Sequence, residues 1–320
     1  MNILLISVLV LVSHQDEFDK FNVDIKWERY KLTYSLTFDE EEDQLRKEIF
    51  IKNYRFIEEH NAKRSQLKLK MNKFGHLRED EVLMNNVFTK STITKSHQVG
   101  HIGDLPVRKS IDWRTFGVVS PVKNELNCRC SHAFSVIGAI ESHYAIQKGY
   151  LPLLSEQEIV DCAVIYHSRG CSGGQPVNVY DWAADYGLLN QSFYPYTGKE
   201  GTCRSKRPVP DYRIKSFVNI PSRDEKQMIR ILSFKGPLSI TMDAAFPEFT
   251  FYSSGIINST RCGKIYTNRV VLAVGYNLTG EPYYIVKNSW GTDWGEDGYF
   301  RIKLGVDMCG ITLLPSYPLV

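Results

Sequence analysis

All seven cysteines of this 320-residue chain lie between Cys128 and Cys309, and none precedes them. They are Cys128, Cys130, Cys162, Cys171, Cys203, Cys262 and Cys309. This distribution sets a cysteine-free N-terminal region apart from a long region able to carry cross-links. In an exported chain an odd number predicts three bridges and one leftover thiol. Zinc is the competing use, but Cys128 and Cys130 are separated by a single residue, too close for a usual ligand pair, and no Cys-x-x-Cys occurs. Neither a metal site nor a cofactor is expected. An apolar share of 43% with a net charge of +3 excludes a disordered chain. So small a charge gives no pull toward nucleic acid or an anionic membrane. The length suits one large or two ordinary domains.

Residues 3–12 form an apolar run interrupted only by Ser7. Crossing a bilayer takes about 20 apolar residues, so the run fits the core of a signal peptide over residues 1–14, although no Lys or Arg precedes it. No other segment is apolar enough to span a membrane. Three sequons, at Asn190, Asn258 and Asn277, suit the same export route. The expected location is secreted and extracellular, with a lysosome or gut lumen as alternatives.

Charge and cysteine usage divide the chain near residue 100. Residues 15–90 are highly charged and helical in pattern. Thr37-Phe-Asp-Glu40 reads as a capping box opening a helix over about residues 38–63. Glu42, Arg46, Phe50, Asn53, Ile57 and Asn61 share one face of it. That mixed stripe suits a helix whose polar groups bond to a defined neighbour; a solvated face with chance spacing is the plainer alternative. Residues 88–104 read as an exposed linker. Residues 131–148 form a helix apolar on most sides, ending at Gly149. Ser155-Glu-Gln-Glu158 is a second capping box, opening a helix toward Cys162. Beyond about residue 212 the pattern turns to strands, at Pro237–Met242, Arg269–Val274, Tyr283–Val286 and Tyr299–Ile302. A helical part thus precedes a β part, an α+β arrangement with a cleft expected between the two.

These residues resemble the papain-like cysteine peptidases of the cathepsin L type. The helix stripe from Glu42 to Asn61 matches the family's propeptide motif at every position. Asn72 and Phe74 match a second propeptide motif, from which Lys70 and His76 depart. Asp112-Trp113-Arg114, Cys171-Ser-Gly-Gly174, Tyr194-Pro-Tyr196, Leu272-Ala-Val-Gly-Tyr276 and Lys287-Asn-Ser-Trp-Gly291 follow in family order, as do Trp294-Gly295 and Gly298-Tyr299. The resemblance implies a helical propeptide over residues 15–104 and a papain-like two-domain fold over 105–320. Its helical half, with a long central helix, spans roughly 120–211, and an antiparallel, barrel-like β half spans roughly 212–320. It also implies the pairs Cys128–Cys171, Cys162–Cys203 and Cys262–Cys309, leaving Cys130 free. Each closed loop would constrain the unfolded chain by roughly 3–4 kcal/mol.

Cysteine-peptidase chemistry needs a thiolate, a histidine to generate it, a group to orient that histidine, and donors for the oxyanion. The flanks Val122-Lys-Asn and Ala133-Phe-Ser place Ser131 at the family's nucleophile position, Glu125 at that of the oxyanion-hole Gln, and His132 where a Trp usually follows the nucleophile. Arg269 stands at the histidine position. Arginine has no acceptor and stays protonated in proteins, so it cannot serve as a base. Of the triad positions only Asn288 carries the family residue. Single losses in such a unit cost on the order of 10⁴–10⁶ in rate. The expectation is therefore a degenerate site and a pseudoenzyme. Three rescues stay open: Cys130 as a displaced thiolate, His132 as a base for Ser131, and Glu125 in that same role. Glu125 and Arg269 should enter from opposite walls of the cleft, either bridged to each other or both turned to solvent.

On the substrate side, Gly173 and Gly174 resemble the family's backbone edge that pairs with extended peptides, or serve only the turn. Gln175 and Pro176 occupy places usually apolar in the main specificity pocket. The leading expectation is a secreted, non-catalytic binding or decoy protein, monomeric, with a protein or peptide ligand; protease inhibitors and host proteins are among the candidates. Inactivated papain-like paralogues occur among parasitic arthropods, including mites, and this chain is similar in kind. The enzymatic alternative is a hydrolase using Ser131 or Cys130, and a third reading is a self-associating structural protein.

Overall fold

The computed structural model describes residues 23–83, 98–99, 103, 105–204 and 212–320. The expected leader and most of the expected linker lie outside the described residues. The chain divides into two compact units, one reaching to Arg64 and including Met71–Arg78, the other comprising Ser65–Lys70 and Glu79–Val320.

The first unit holds helix α1, residues 23–34, and helix α2, Glu40–Ala62. Trp27 and Tyr30 of α1 are buried with Phe50 of α2. The α2 cap differs from expectation: Asp39, not Thr37, is the N-cap residue, and its side chain accepts from Glu42 N at 2.9 Å. An aspartate there also places negative charge at the positive end of the helix dipole. Burial would raise the Asp43 carboxyl, but donation from Lys31 and Trp27 outweighs it and holds the group below its ordinary value. The α2 stripe does bond to a defined neighbour. Arg46 pairs with Glu42 at 2.6 Å and donates to His76 O, while Asn53 Nδ2 donates to Gly75 O and Leu77 O.

In the second unit the chain runs through β1 (Lys68–Leu69), α3 (Glu79–Val82), β2 (Gln98–Val99), β3 (Ser110–Asp112), α4 (Ser131–Lys148), α5 (Glu156–Cys162) and α6 (Pro176–Asp185). It continues through β4 (Ser216–Asn219), α7 (Glu225–Phe234), β5 (Leu238–Met242), α8 (Pro247–Thr250), β6 (Tyr252–Ser254), β7 (Ile256–Ile257), β8 (Arg269–Asn277), β9 (Tyr283–Lys287), β10 (Tyr299–Lys303) and β11 (Ser316–Leu319). The main sheet has the order β2-β4-β11-β5-β8-β9-β10-β7, with β3 also on β8. Its pairs are antiparallel except β2–β4 and β10–β7. The fold is α+β, as expected.

Helix α4 explains its own sequence. Every residue from Ser131 to Ala145 is buried. One flank joins Val136, Ile137 and Ile140 to the core of α5 and α6, while Ala139 packs on Leu272 and Val274 of β8. A helix packed on both sides has no polar face to spare. Gly149 closes it at φ +79°, a left-handed value that glycine adopts without cost. Ser155 caps α5 by accepting from Glu158 N at 3.1 Å, but Glu158 Oε2 accepts from Leu189 N, so the carboxylate ties a loop rather than only closing the box.

Two expectations about boundaries need correction. Residues 98–99, placed in the exposed linker, form β2 and pair with Val218 and Asn219. Phe217 and Val320, placed in the β half, sit in the core of the helical half. Phe217 and Val320 bury apolar side chains across the divide, which a boundary drawn at one residue cannot express.

Bridges join Cys128–Cys171, Cys162–Cys203 and Cys262–Cys309, and Cys130 is free and buried. A buried charge cluster ties the halves at α4. Lys123 Nζ contacts Glu141 at 3.0 Å and Glu156 at 2.6 Å, and Lys287 Nζ donates to Ser120 Oγ, which donates on to Glu141. Burial pushes the Lys287 ammonium down to about 8, with Glu141 opposing. Among the described residues no helix is long and apolar enough to cross a membrane.

Candidate active site

The candidate residues meet where α4 begins and β8 begins. The loop before α4 is zipped to the loop after β9: Glu125 N donates to Ser289 O at 2.9 Å, and Gly291 N to Lys123 O at 3.1 Å. These bonds aim the Glu125 carboxylate at the first residue of β8. Arg269 Nη2 donates to Glu125 Oε1 at 2.6 Å, and the side chains are 5% and 3% exposed. The guanidinium also donates to Asn288 Oδ1, from Nε at 2.9 Å and Nη2 at 2.7 Å, and to Ser289 Oγ at 3.2 Å. Its carbon lies 4.2 Å from the Trp290 ring centroid, a cation–π contact. The salt bridge is thus present rather than two solvated side chains.

Ser131, the first residue of α4, is buried, and its Oγ accepts from Val270 N at 3.2 Å. Among the described residues no histidine bonds to this hydroxyl. His132 Nε2 lies 3.0 Å from Ser168 Oγ, turned to a different partner. Burial, helped by the Arg169 charge, pushes the imidazole down to about 3, so it is neutral in ordinary conditions. Cys130 is fully buried, with Sγ 3.2 Å from Tyr196 OH. Tyr196 spends its own proton on Glu125 O at 2.8 Å, so the thiol is the donor in the first contact. Burial first, and then the Glu125 charge, push that thiol up, while Tyr196 opposes. A thiol held in this way is not a thiolate, and only the thiolate is nucleophilic.

The site can therefore hold a permanent cation, a carboxylate and an amide in one fixed array. Asn288 spends its oxygen on Arg269, and its Nδ2 has no hydrogen-bond partner among the described residues. Among the described residues, Ser131 Oγ is bonded to Val270 N and Cys130 Sγ lies against Tyr196 OH.

Residues 107–319 match the papain family cysteine proteases, and residues 27–82 match the cathepsin propeptide inhibitor domain (I29). The chain belongs to the papain family. It is 35% identical to Testin-2 of Mus musculus over 311 residues, covering 93% of each chain. It is 36% identical to Pro-cathepsin H of Mus musculus over 309 residues, covering 94% of this chain and 91% of that one. The structure of digestive procathepsin L 3 from the larval midgut of Tenebrio molitor is similar with a TM-score of 0.86 at 33% identity, covering 93% of this chain and 99% of the other.

The residues expected at the papain-family peptide edge have local tasks as well. Gly173 has φ +89°, so the turn itself requires glycine there. A Cβ on Gly174 would lie 2.8 Å from the His132 ring. Gln175 is the N-cap residue of α6, and Pro176, buried, is at its start. His132 and Gly174 are thus fitted to each other.

Two features escaped the sequence reading. Arg129 Nη2 donates to Glu81 O at 2.5 Å; a charged residue between two cysteines was the visible signal. The Lys123–Glu141–Glu156 cluster was signalled by Glu141 inside an otherwise apolar helix. A buried carboxylate there demands a cation, but sequence does not say which one.

The sequons differ in setting. Asn190 Oδ1 accepts from Ser192 N and Oγ, Asn277 Oδ1 accepts from Thr279 N and Oγ1, and Asn258 is exposed.

Proposed function

We propose that this papain-family chain is a non-catalytic member that acts by binding, as a secreted decoy or as a ligand of another protein. The observation that carries the reading is the pairing of Arg269 with Glu125 and Asn288 at the start of α4. A guanidinium in that place accepts no proton, and a carboxylate where an oxyanion would form opposes the charge that must develop. Ser131, in turn, lacks the base that a serine nucleophile needs.

Partners in keeping with this reading are protein or peptide ligands, protease inhibitors and host proteins among them, met by a monomer. Export through a leader at residues 1–14, with glycans at Asn190, Asn258 and Asn277, is part of the proposal. The three disulfides support an oxidising compartment.

The test is chemical. Pure protein is incubated with a broad cysteine-protease probe and with a serine-hydrolase probe, and any label is mapped. Absence of label and of peptide hydrolysis is expected. Labelling at Cys130 or Ser131, abolished by Cys130→Ala or Ser131→Ala, would establish the hydrolase instead.

A further inference from the structure

Three segments of the second unit run side by side. Leu154 and Asn190 form an antiparallel bridge, as do Leu188 and Tyr212. Gln191 N donates to Leu153 O at 2.9 Å, and Leu188 N to Tyr212 O at 2.6 Å. These segments line a groove of about 670 Å³, a size within the range of about 300–1,000 Å³ usual for ligand sites. Tyr150, Tyr196 and Tyr212 stand in its lining, with Asn190, Gln191 and Ser192 beside them. Tyr150 is 52% exposed. Tyr212 is held in place by Tyr144: the two rings meet edge to face with centroids 5.5 Å apart, and Tyr144 OH donates to Arg213 O at 2.6 Å. Tyr196 is fixed by its own bond to Glu125 O. Two of the three rings are therefore set before anything enters, which lowers the entropy lost on binding.

Asn190 opens the sequon Asn190-Gln-Ser192, so the groove holds an attachment point for a saccharide in its own lining. Asn190 Oδ1 accepts from Ser192 N and Oγ, each at 2.9 Å. Nδ2, the atom to which an N-glycan is joined, is left outside both bonds. We propose that the saccharide on Asn190 folds back into this groove, with its first sugars on the tyrosine rings, and becomes a fixed part of the protein surface. Attachment joins Nδ2 to the anomeric carbon of a saccharide carried on a lipid diphosphate, which leaves with the amide proton. The inference rests on the proposed export, because the transfer belongs to that route. A sugar ring offers C–H faces to aromatic rings, and hydroxyls and an acetamide to polar neighbours such as Gln191. Tethering adds to this: a ligand on a short link has an effective concentration on the order of mM, so weak contacts suffice. A proline-rich peptide would also suit aromatic walls, but it would have to displace a saccharide rooted in the same groove.

The test uses the full chain secreted from a eukaryotic host. A peptide N-glycosidase acts on the native protein while mass spectrometry follows each site. Asn277 is the internal reference, since its Oδ1 makes the same two bonds, to Thr279 N and Oγ1, at the end of β8. The Asn190 glycan should be released at least about tenfold more slowly than the Asn277 glycan, and denaturant should abolish the difference. Tyr150→Ala should speed release at Asn190 roughly three- to tenfold. An unchanged rate at Asn277 reports that this variant is folded. Gln191→Ala, which keeps the sequon, should act in the same direction and covers the case in which Tyr150→Ala does not fold. Equal rates at the two sites in the native wild type overturn the inference, as does a Tyr150→Ala rate at Asn190 equal to that of the wild type. Glycans on Asn258 and Asn277 with Asn190 bare overturn it as well, and a proline-rich peptide binding the groove of that protein would be its occupant instead. All three asparagines bare would defeat the export reading together with the inference. Label at Cys130 or Ser131 of the glycosylated protein would defeat the non-catalytic reading alone.

Discussion

Arg269 Nη2 and Glu125 Oε1 lie 2.6 Å apart with both side chains almost wholly buried. The partners are 144 residues apart in sequence, and each would be costly without the other. Removing one partner of a buried pair leaves an uncompensated charge, typically at a cost of about 3–5 kcal/mol, whereas replacing both with apolar groups is often neutral or stabilising. Glu125→Leu and Arg269→Met are each expected to lower stability in denaturant by about that amount, and the two together to recover most of it. Additive losses in this double-mutant cycle would show that the two groups are not coupled.

This pair also marks what could be read in advance. The α4 helix, its glycine cap and the β8–β10 strands follow from local patterns, since each element answers to its own periodicity. The Asp39 cap was missed because Thr37 and Asp39 both carry a side-chain oxygen, and only the entry path of the chain chooses between them. Arg269 and Glu125 were legible as a pair of opposite sign, but their contact distance depends on loop bonds such as Glu125 N to Ser289 O. For the hold of Arg129 on Glu81 a charged residue between two cysteines was the only sign, and the bond itself was not legible. It joins a side chain to a backbone carbonyl, and carbonyls leave no trace in residue identity.

Acid should weaken the fold through two histidines. Burial holds His132 down to about 3 and His143 to about 4; the charges of Arg169 and Lys235 add to this, while Pro237 O opposes it at His143. Both stay neutral in the native state while the unfolded chain takes up protons below about 6.5. Stability is therefore full above that value and falls as pH drops toward the folded-state values. Near pH 4.5 each histidine should cost roughly 2–3 kcal/mol. Denaturant midpoints compared at about pH 7 and pH 4.5 should show the loss, and His143→Gln should remove about half of it. Parallel pH profiles for the variant and the wild type would remove His143 as a source.

Asn288 offers the last test, because its amide oxygen now accepts from Arg269 Nε at 2.9 Å. An imidazole at residue 269 would present an N–H to that same oxygen. Returning the missing groups together, as Glu125→Gln, Ser131→Cys and Arg269→His, should give a thiol paired with an oriented base. Such a thiol ionises well below the ordinary value of about 8.5. Near pH 6 it should react with a small alkylating reagent roughly ten- to a hundredfold faster than the Ser131→Cys variant alone, whose thiol would face the Arg269–Glu125 pair without a base. Glu125→Gln or Arg269→His alone should leave residue 131 unreactive, since a base without a nucleophile completes nothing. Equal alkylation rates for the triple and single variants would mean that residues 131 and 269 do not face each other in solution.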